Sequence, residues 1–231
     1  MIQQDVIARI VDLDRYPLHE GASNRIQNLL ADGRAALNTN ALFSLPGFVR
    51  PDAVARMAEE LEARVPSACR YQAERSCYVV DDNDWPTDHV RNTLLLSRYY
   101  QVLNYQISNE SLLRQLYCWE PLREFLCRLM GYDSFHRSEC PHLALSSKIA
   151  GEGDVDGWHF DSNDVVFSVV LQQPEAGGVF EYVPNIRSDD NENYEAVATV
   201  LAGSREKVKT TSLSAGDLNV FEGDYTLHRV S

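Results

Sequence analysis

At residue 142 the chain changes period. Before it, apolar residues recur at helical spacing. After it come short β-type runs: Leu143–Ile149, Val165–Leu171, Val179–Val183, Val208–Leu213 and Leu218–Phe221. Gly151-Glu152-Gly153, Gly177-Gly178 and Ala215-Gly216-Asp217 supply the turns between them. One helical stretch, Glu192–Ala202 ending at Gly203, interrupts the series. Strands do not alternate regularly with helices, so a parallel βαβ sheet is not expected. The pattern predicts an α+β protein, with an antiparallel or barrel-like core behind a helical first half.

Within the first half a helix is expected around Ser23–Leu37. Residues 41–49 read as a short strand broken by Pro46-Gly47. Pro51 and Asp52 suit the start of a helix whose apolar face is Val54, Met57, Ala58 and Leu61. The stretch 81–92 reads as an acidic loop. Ser111–Met130 is helical in period, Pro121 marks a break or a second start, and Gly131 is a stop. No proline- or serine-rich linker intervenes. Residues 1–231 are therefore expected to form one domain, with 1–140 as mainly helical support and 141–231 as barrel core.

Composition limits the partners. Lys plus Arg number 21 against 34 Asp plus Glu, a net charge of −13. A nucleic-acid binder needs a basic footprint, so no nucleic-acid partner is expected. No apolar run reaches the roughly 18 residues of a membrane span, and Met1–Asp5 does not read as a secretory signal. The five cysteines (69, 77, 118, 127 and 140) are odd in number and form no CxxC pair, which argues against a disulfide framework. A cytoplasmic protein acting on a small molecule is expected, in an oligomeric state the sequence does not specify.

The chemistry-bearing pattern is Gly157-Trp158-His159-Phe160-Asp161. On extended backbone, residues two apart share a face, so His159 and Asp161 can grip one ion. A third ligand from a distant strand would complete a two-His-one-carboxylate face with open positions opposite, the arrangement of non-haem Fe(II) oxygenases. His228, after the strand-turn-strand unit 213–221, is the best third ligand. Spacing alone is weak evidence, because six histidines among 34 acids in 231 residues give about one His-x-Asp/Glu by accident.

Order adds specificity. GWHFD (157–161), LQQPEAGGVFEYVP (171–184) and LSAGDLNVFEGDYTLHRV (213–230) follow one another as in the Fe(II)/2-oxoglutarate dioxygenases. Leu45-Pro46-Gly47-Phe48 and the helix after it suit their N-terminal support. This resemblance implies a double-stranded β-helix (jelly-roll, cupin-like) core with N-terminal supporting helices. It also implies Fe(II) held by His159, Asp161 and His228, with 2-oxoglutarate and O₂ as cosubstrates. Glu139-Cys140-Pro141 and the helical segments SLLRQLY (111–117) and EPLREFL (120–126) also resemble the carrier-free amino-acid halogenases and hydroxylases. Halogenases of that group carry Gly or Ala in place of the metal carboxylate, leaving room for chloride. Position 161 is Asp here, so the resemblance implies a hydroxylase that releases succinate and CO₂.

The superfamily binds the distal 2-oxoglutarate carboxylate with Arg or Lys about ten residues past the last His. The chain stops at Ser231, so that anchor is not assigned, and the C-terminal end of the barrel is expected to be incomplete. Arg229 is too near His228 and should point to the opposite face.

The expected substrate is a free polar amino acid, lysine-like. Glu139 could pair with its ammonium; Asp156, Ser162 and Asp164 could hydrogen-bond it; Arg91 or Arg98 could fork its carboxylate. For each, a solvated charge or structural ion pair is the competing reading. Trp158, His142, Tyr99, Tyr100 and Tyr105 read as packing or strand-edge residues. The alternatives are a radical halogenase or desaturase on the same scaffold, and a non-catalytic cupin-like metal-binding module.

Overall fold

The computed structural model describes residues 4–78, 85–134, 136–163 and 165–231. Asp164 and the acids at 81, 82 and 84 lie outside them. The chain runs α1 (Gln4–Ile10), α2 (Asn24–Asn40), β1 (Leu42–Leu45), α3 (Pro51–Glu62), β2 (Cys69–Arg75), β3 (Leu95–Val102), α4 (Leu112–Tyr117) and α5 (Glu120–Met130). It continues through β4 (Ser147–Ile149), β5 (Val155–His159), β6 (Val166–Val169), β7 (Phe180–Val183), α6 (Tyr194–Leu201), β8 (Lys209–Thr211), β9 (Leu218–Phe221) and β10 (Leu227–Val230).

Local chemistry sets the helix ends. The Ser23 hydroxyl accepts from the Ile26 N–H and caps α2. Pro at the start of α3 and α5 occupies positions where a missing N–H costs nothing. Gly131, at φ +72°, ends α5 in the left-handed conformation. Residues 111–130 split at Trp119 into α4 and α5, with Pro121 in the first turn of the second helix.

The strands form two antiparallel sheets. The smaller has order β1-β9-β6; the larger has order β2-β3-β5-β10-β7-β8, with β4 also paired to β3. Three strands thus come from before residue 140, and the first half is less purely helical than its periodicity suggests. β2 escapes a hydrophobic reading because Cys69–Arg75 is largely polar and largely open to solvent on one face. Its seven residues pair in register with β3 from Cys69↔Gln101 to Arg75↔Leu95. The run at 143–149 becomes strand only from Ser147, and Leu143 is exposed.

Alternation gives each sheet two faces. On the small sheet, Phe43, Leu45, Leu218 and Val220 face a core shared with the helices, including Phe48, Met57, Leu122 and Leu126. α2 packs closely there, since a Cβ on Gly33 would lie 2.6 Å from Leu129 Cδ1. Phe48 is fully buried, with its ring 5.6 Å from that of Tyr16. Phe48→Ala is expected to cost about 3–5 kcal/mol through a cavity, read as a lowered denaturation midpoint. A midpoint within error of wild type would contradict this packing. The outer face of the large sheet is covered by α6, with Trp158, Phe160, Val183, Val197 and Leu227 in one cluster. Between the sheets, Phe180, Tyr182 and Phe221 pack with Leu42, Val166 and Val230. No helix among the described residues is long and apolar enough to cross a membrane.

Candidate metal centre

β5 and β10 lie side by side, with His159 directly opposite His228. Their rings are 4.1 Å apart between centroids, and both residues are 4% exposed. β5 ends at His159, but the chain stays extended for two more residues. The Phe160 N–H donates to the Cys77 carbonyl, and the Asp161 N–H donates to the Gly223 carbonyl at 3.0 Å. Phe160 turns outward into the α6 cluster, and Asp161 turns inward to the histidines.

The three ligand atoms of His159, Asp161 and His228 lie within 4.8 Å of one another. His159 Nε2 is 3.8 Å from Asp161 Oδ1, and His228 Nε2 is 3.5 Å from Asp161 Oδ2. Both Nδ1 atoms meet backbone carbonyls, His159 at Gly157 (2.7 Å) and His228 at Thr226 (2.8 Å). A carbonyl only accepts, so each Nδ1 carries the hydrogen and each Nε2 presents a lone pair inward. Burial pushes both imidazoles below their ordinary pKa; for His159 the neighbouring His228 adds to this. Asp161 Oδ2 is buried with no hydrogen-bond partner. Two neutral imidazoles and one buried orphaned carboxylate oxygen, aimed at one point, fit a divalent cation. They fit a directly hydrogen-bonded cluster poorly, since neither Nε2 can donate to the acid.

A polar wall adjoins the triad. Between the pairs His228↔His159 and Val230↔Asp156, β5 carries one residue more than β10. This bulge turns Asp156 to the side of His159, 3.8 Å from its Nδ1. Asp156 is 7% exposed and accepts from Lys148 Nζ at 2.5 Å and Ser97 Oγ at 3.1 Å. Burial alone would raise the Asp156 pKa and lower that of Lys148. Their mutual attraction overcomes both effects, so Asp156 stays below and Lys148 above the ordinary values. Lys148 also lies 4.9 Å from the Tyr99 ring, and half of its side chain remains open to solvent. On β2, Arg75 has a buried Nε with no hydrogen-bond partner, and its charge also reaches Tyr99. Lys148 did not stand out in the sequence, because the pairing of β4 with β3 brings it beside Asp156. Phe221 and Phe180 close the apolar side, 4.9 and 5.8 Å from the His228 ring.

The other candidates fall elsewhere. Arg98 points to the face of β3 opposite Ser97, where it hydrogen-bonds the Gly153 carbonyl and lies 3.5 Å from Asp154. It thereby braces the turn before β5. Arg91 is committed to Tyr194 and Glu192, with its guanidinium 4.6 Å over the Tyr78 ring. Both arginines are thus engaged within the fold, away from the triad's wall. Glu139 and Ser162 are exposed loop residues. Asp164 is outside the described residues. Of the six substrate candidates, Asp156 alone is shown beside the triad.

Comparisons with known proteins bear on the family and the fold. The Halogenase D family model matches residues 27–231. A prolyl-4-hydroxylase from Pseudomonas putida superposes with a TM-score of 0.51 at 16% identity, covering 88% of this chain and 91% of that one. A Trichoplax adhaerens prolyl hydroxylase, solved with a hypoxia inducible factor peptide, gives 0.54 at 14%, covering 90% and 84%. The α-ketoglutarate-dependent epimerase SnoN from nogalamycin biosynthesis gives 0.52 at 16%, covering 89% and 75%. None of the curated proteins matches in sequence. The structural likenesses carry the jelly-roll fold. The family match spans most of the chain. The chain belongs to the Halogenase D family, within the Fe(II)/2-oxoglutarate-dependent oxygenases.

Proposed function

We propose that this oxygenase hydroxylates an aliphatic carbon of a free polar amino acid, with lysine-like substrates favoured. The observation that carries the reading is the Asp161 carboxylate lying beside both histidine Nε2 atoms. In the proposed site His159, Asp161 and His228 are the three protein ligands to Fe(II). Bound iron, with 2-oxoglutarate and O₂, supplies the oxidising power that converts C–H to C–OH as succinate and CO₂ leave.

The chain's own residues bind, orient and exclude water. The Gly157 and Thr226 carbonyls hold the imidazoles in the ligating tautomer. Phe180, Tyr182 and Phe221 keep the inner side apolar. Lys148 gives a carboxylate-bearing ligand its counter-charge; Asp156 holds the Lys148 ammonium, and Ser97 in turn donates to Asp156. A carboxylate suits both an amino acid and 2-oxoglutarate. Glu139 and Ser162, on loops, remain candidates for the substrate ammonium and hydrogen-bonding groups.

A radical halogenase is the second reading, favoured by the name of the matching family. Against it stands Asp161, which fills the position a halide would need.

The test incubates the protein with Fe(II), 2-oxoglutarate, O₂, chloride and a pool of free amino acids, and reads products by mass spectrometry. One basic or polar amino acid is expected to gain a single oxygen atom, with succinate formed in step. A chlorinated product would establish the second reading. Turnover confined to large hydrophobic or carrier-bound substrates would rule out the free polar amino acid.

A further inference from the structure

Gly223 sits in the turn between β9 and β10 and is buried. Its backbone is not in the left-handed region, so glycine is not needed there for conformation. It is needed for space. A Cβ at 223 would lie 2.0 Å from Asp161 Oδ2, 2.8 Å from its Cγ and 2.9 Å from its Cβ. The three nearest heavy atoms all belong to that one side chain. The Gly223 carbonyl meanwhile accepts the Asp161 N–H at 3.0 Å. The same residue thus holds the backbone of Asp161 and leaves the niche its carboxylate fills.

The turn is itself clamped. Arg187 Nε donates to the Asp224 carbonyl at 2.6 Å, and its guanidinium pairs with the Asp224 carboxylate. It also bonds Glu192 at 3.1 Å. The guanidinium lies 4.0 Å from the ring centre of Phe160, the residue before Asp161. Arg187 therefore ties the 160–161 segment to the 223–224 turn, and the niche cannot widen cheaply.

We propose that Gly223 is the positioning residue for the metal carboxylate, and that a side chain at 161 is accommodated because 223 has none. The proposal rests on the triad reading above. It predicts that a methyl group at 223 removes Asp161 from the metal without touching either histidine.

The experiment measures Co(II) affinity of the full chain by calorimetry, with melting of the metal-free proteins. It compares wild type, Gly223→Ala, Asp161→Gly and the double variant. Gly223→Ala is expected to lose roughly 10–100-fold in affinity, as when a ligand's supporting partner is removed. In the Asp161→Gly background the same methyl group is expected to cost less than about twofold, because the group it displaces is gone. A merely structural glycine would cost the same in both backgrounds. Wild-type affinity in Gly223→Ala, beside weak binding in Asp161→Gly, would overturn this proposal and leave the triad standing. Wild-type affinity in Asp161→Gly would overturn the triad itself. If Gly223→Ala does not fold, the double variant decides. Recovery of folding supports the niche, and failure of both contradicts it.

Discussion

Asp161→Gly is expected to abolish hydroxylation and to weaken Fe(II) binding by more than the roughly 10–100-fold lost when only a ligand's supporting partner is removed. The reason is electrostatic. His159 and His228 are neutral donors, kept so by burial, while their Nδ1–H bonds to backbone carbonyls set the tautomer. Asp161 is the one anion of the triad. Removing it leaves two neutral imidazoles in a buried site with no anionic ligand to offset a divalent charge. The substitution also vacates the position a halide would occupy. Added chloride is expected to restore at most a trace of C–Cl product, because a halide also needs hydrogen-bond donors and a substrate carbon held away from hydroxyl transfer. Calorimetry for the metal and mass spectrometry for the product check both parts. Wild-type hydroxylation by the variant would show that Asp161 does not ligate the metal.

Gly157→Ala is expected to damage fold and site together. A Cβ there would lie 2.5 Å from the Leu96 carbonyl oxygen and 3.3 Å from its carbon. Those are backbone atoms of a strand that β2 and β4 hold from either side, so β5 must move instead. Overpacking of this kind costs about 1–3 kcal/mol, or roughly 2–12 °C in melting temperature at this chain length. The Gly157 carbonyl also orients His159, so metal affinity is expected to fall with stability. Melting and Co(II) titration of the same sample test the link. An unchanged melting temperature would contradict the close approach of β3 and β5.

Features governed by near neighbours in sequence were legible before any coordinates. Pro121 and Gly131 mark the start and stop of α5 because a proline lacks its N–H and a glycine tolerates positive φ. The spacing of His159 and Asp161 placed both on one side because the chain stays extended past β5. β2 was not legible, since Cys69–Arg75 carries little apolar alternation and gains its order from pairing with β3. Lys148 was hidden for a similar reason, being brought beside Asp156 by strand pairing. Gly223 gave no signal because its role is a missing atom, visible only once Asp161 is placed beside it. The roles of Arg98, which braces a turn, and Arg91, which packs among aromatic rings, were not legible either, because both depend on residues distant in the chain.

One Fe(II) is expected to bind between β5, its extension and β10. Anomalous diffraction at the iron edge, on crystals grown with Fe(II) and 2-oxoglutarate under anaerobic conditions, is the decisive measurement. A single peak is expected with His159 Nε2, His228 Nε2 and an Asp161 carboxylate oxygen each at roughly 2.0–2.2 Å, the range for nitrogen and oxygen donors on a small divalent metal. A peak elsewhere, or one that these three residues do not surround, would contradict it.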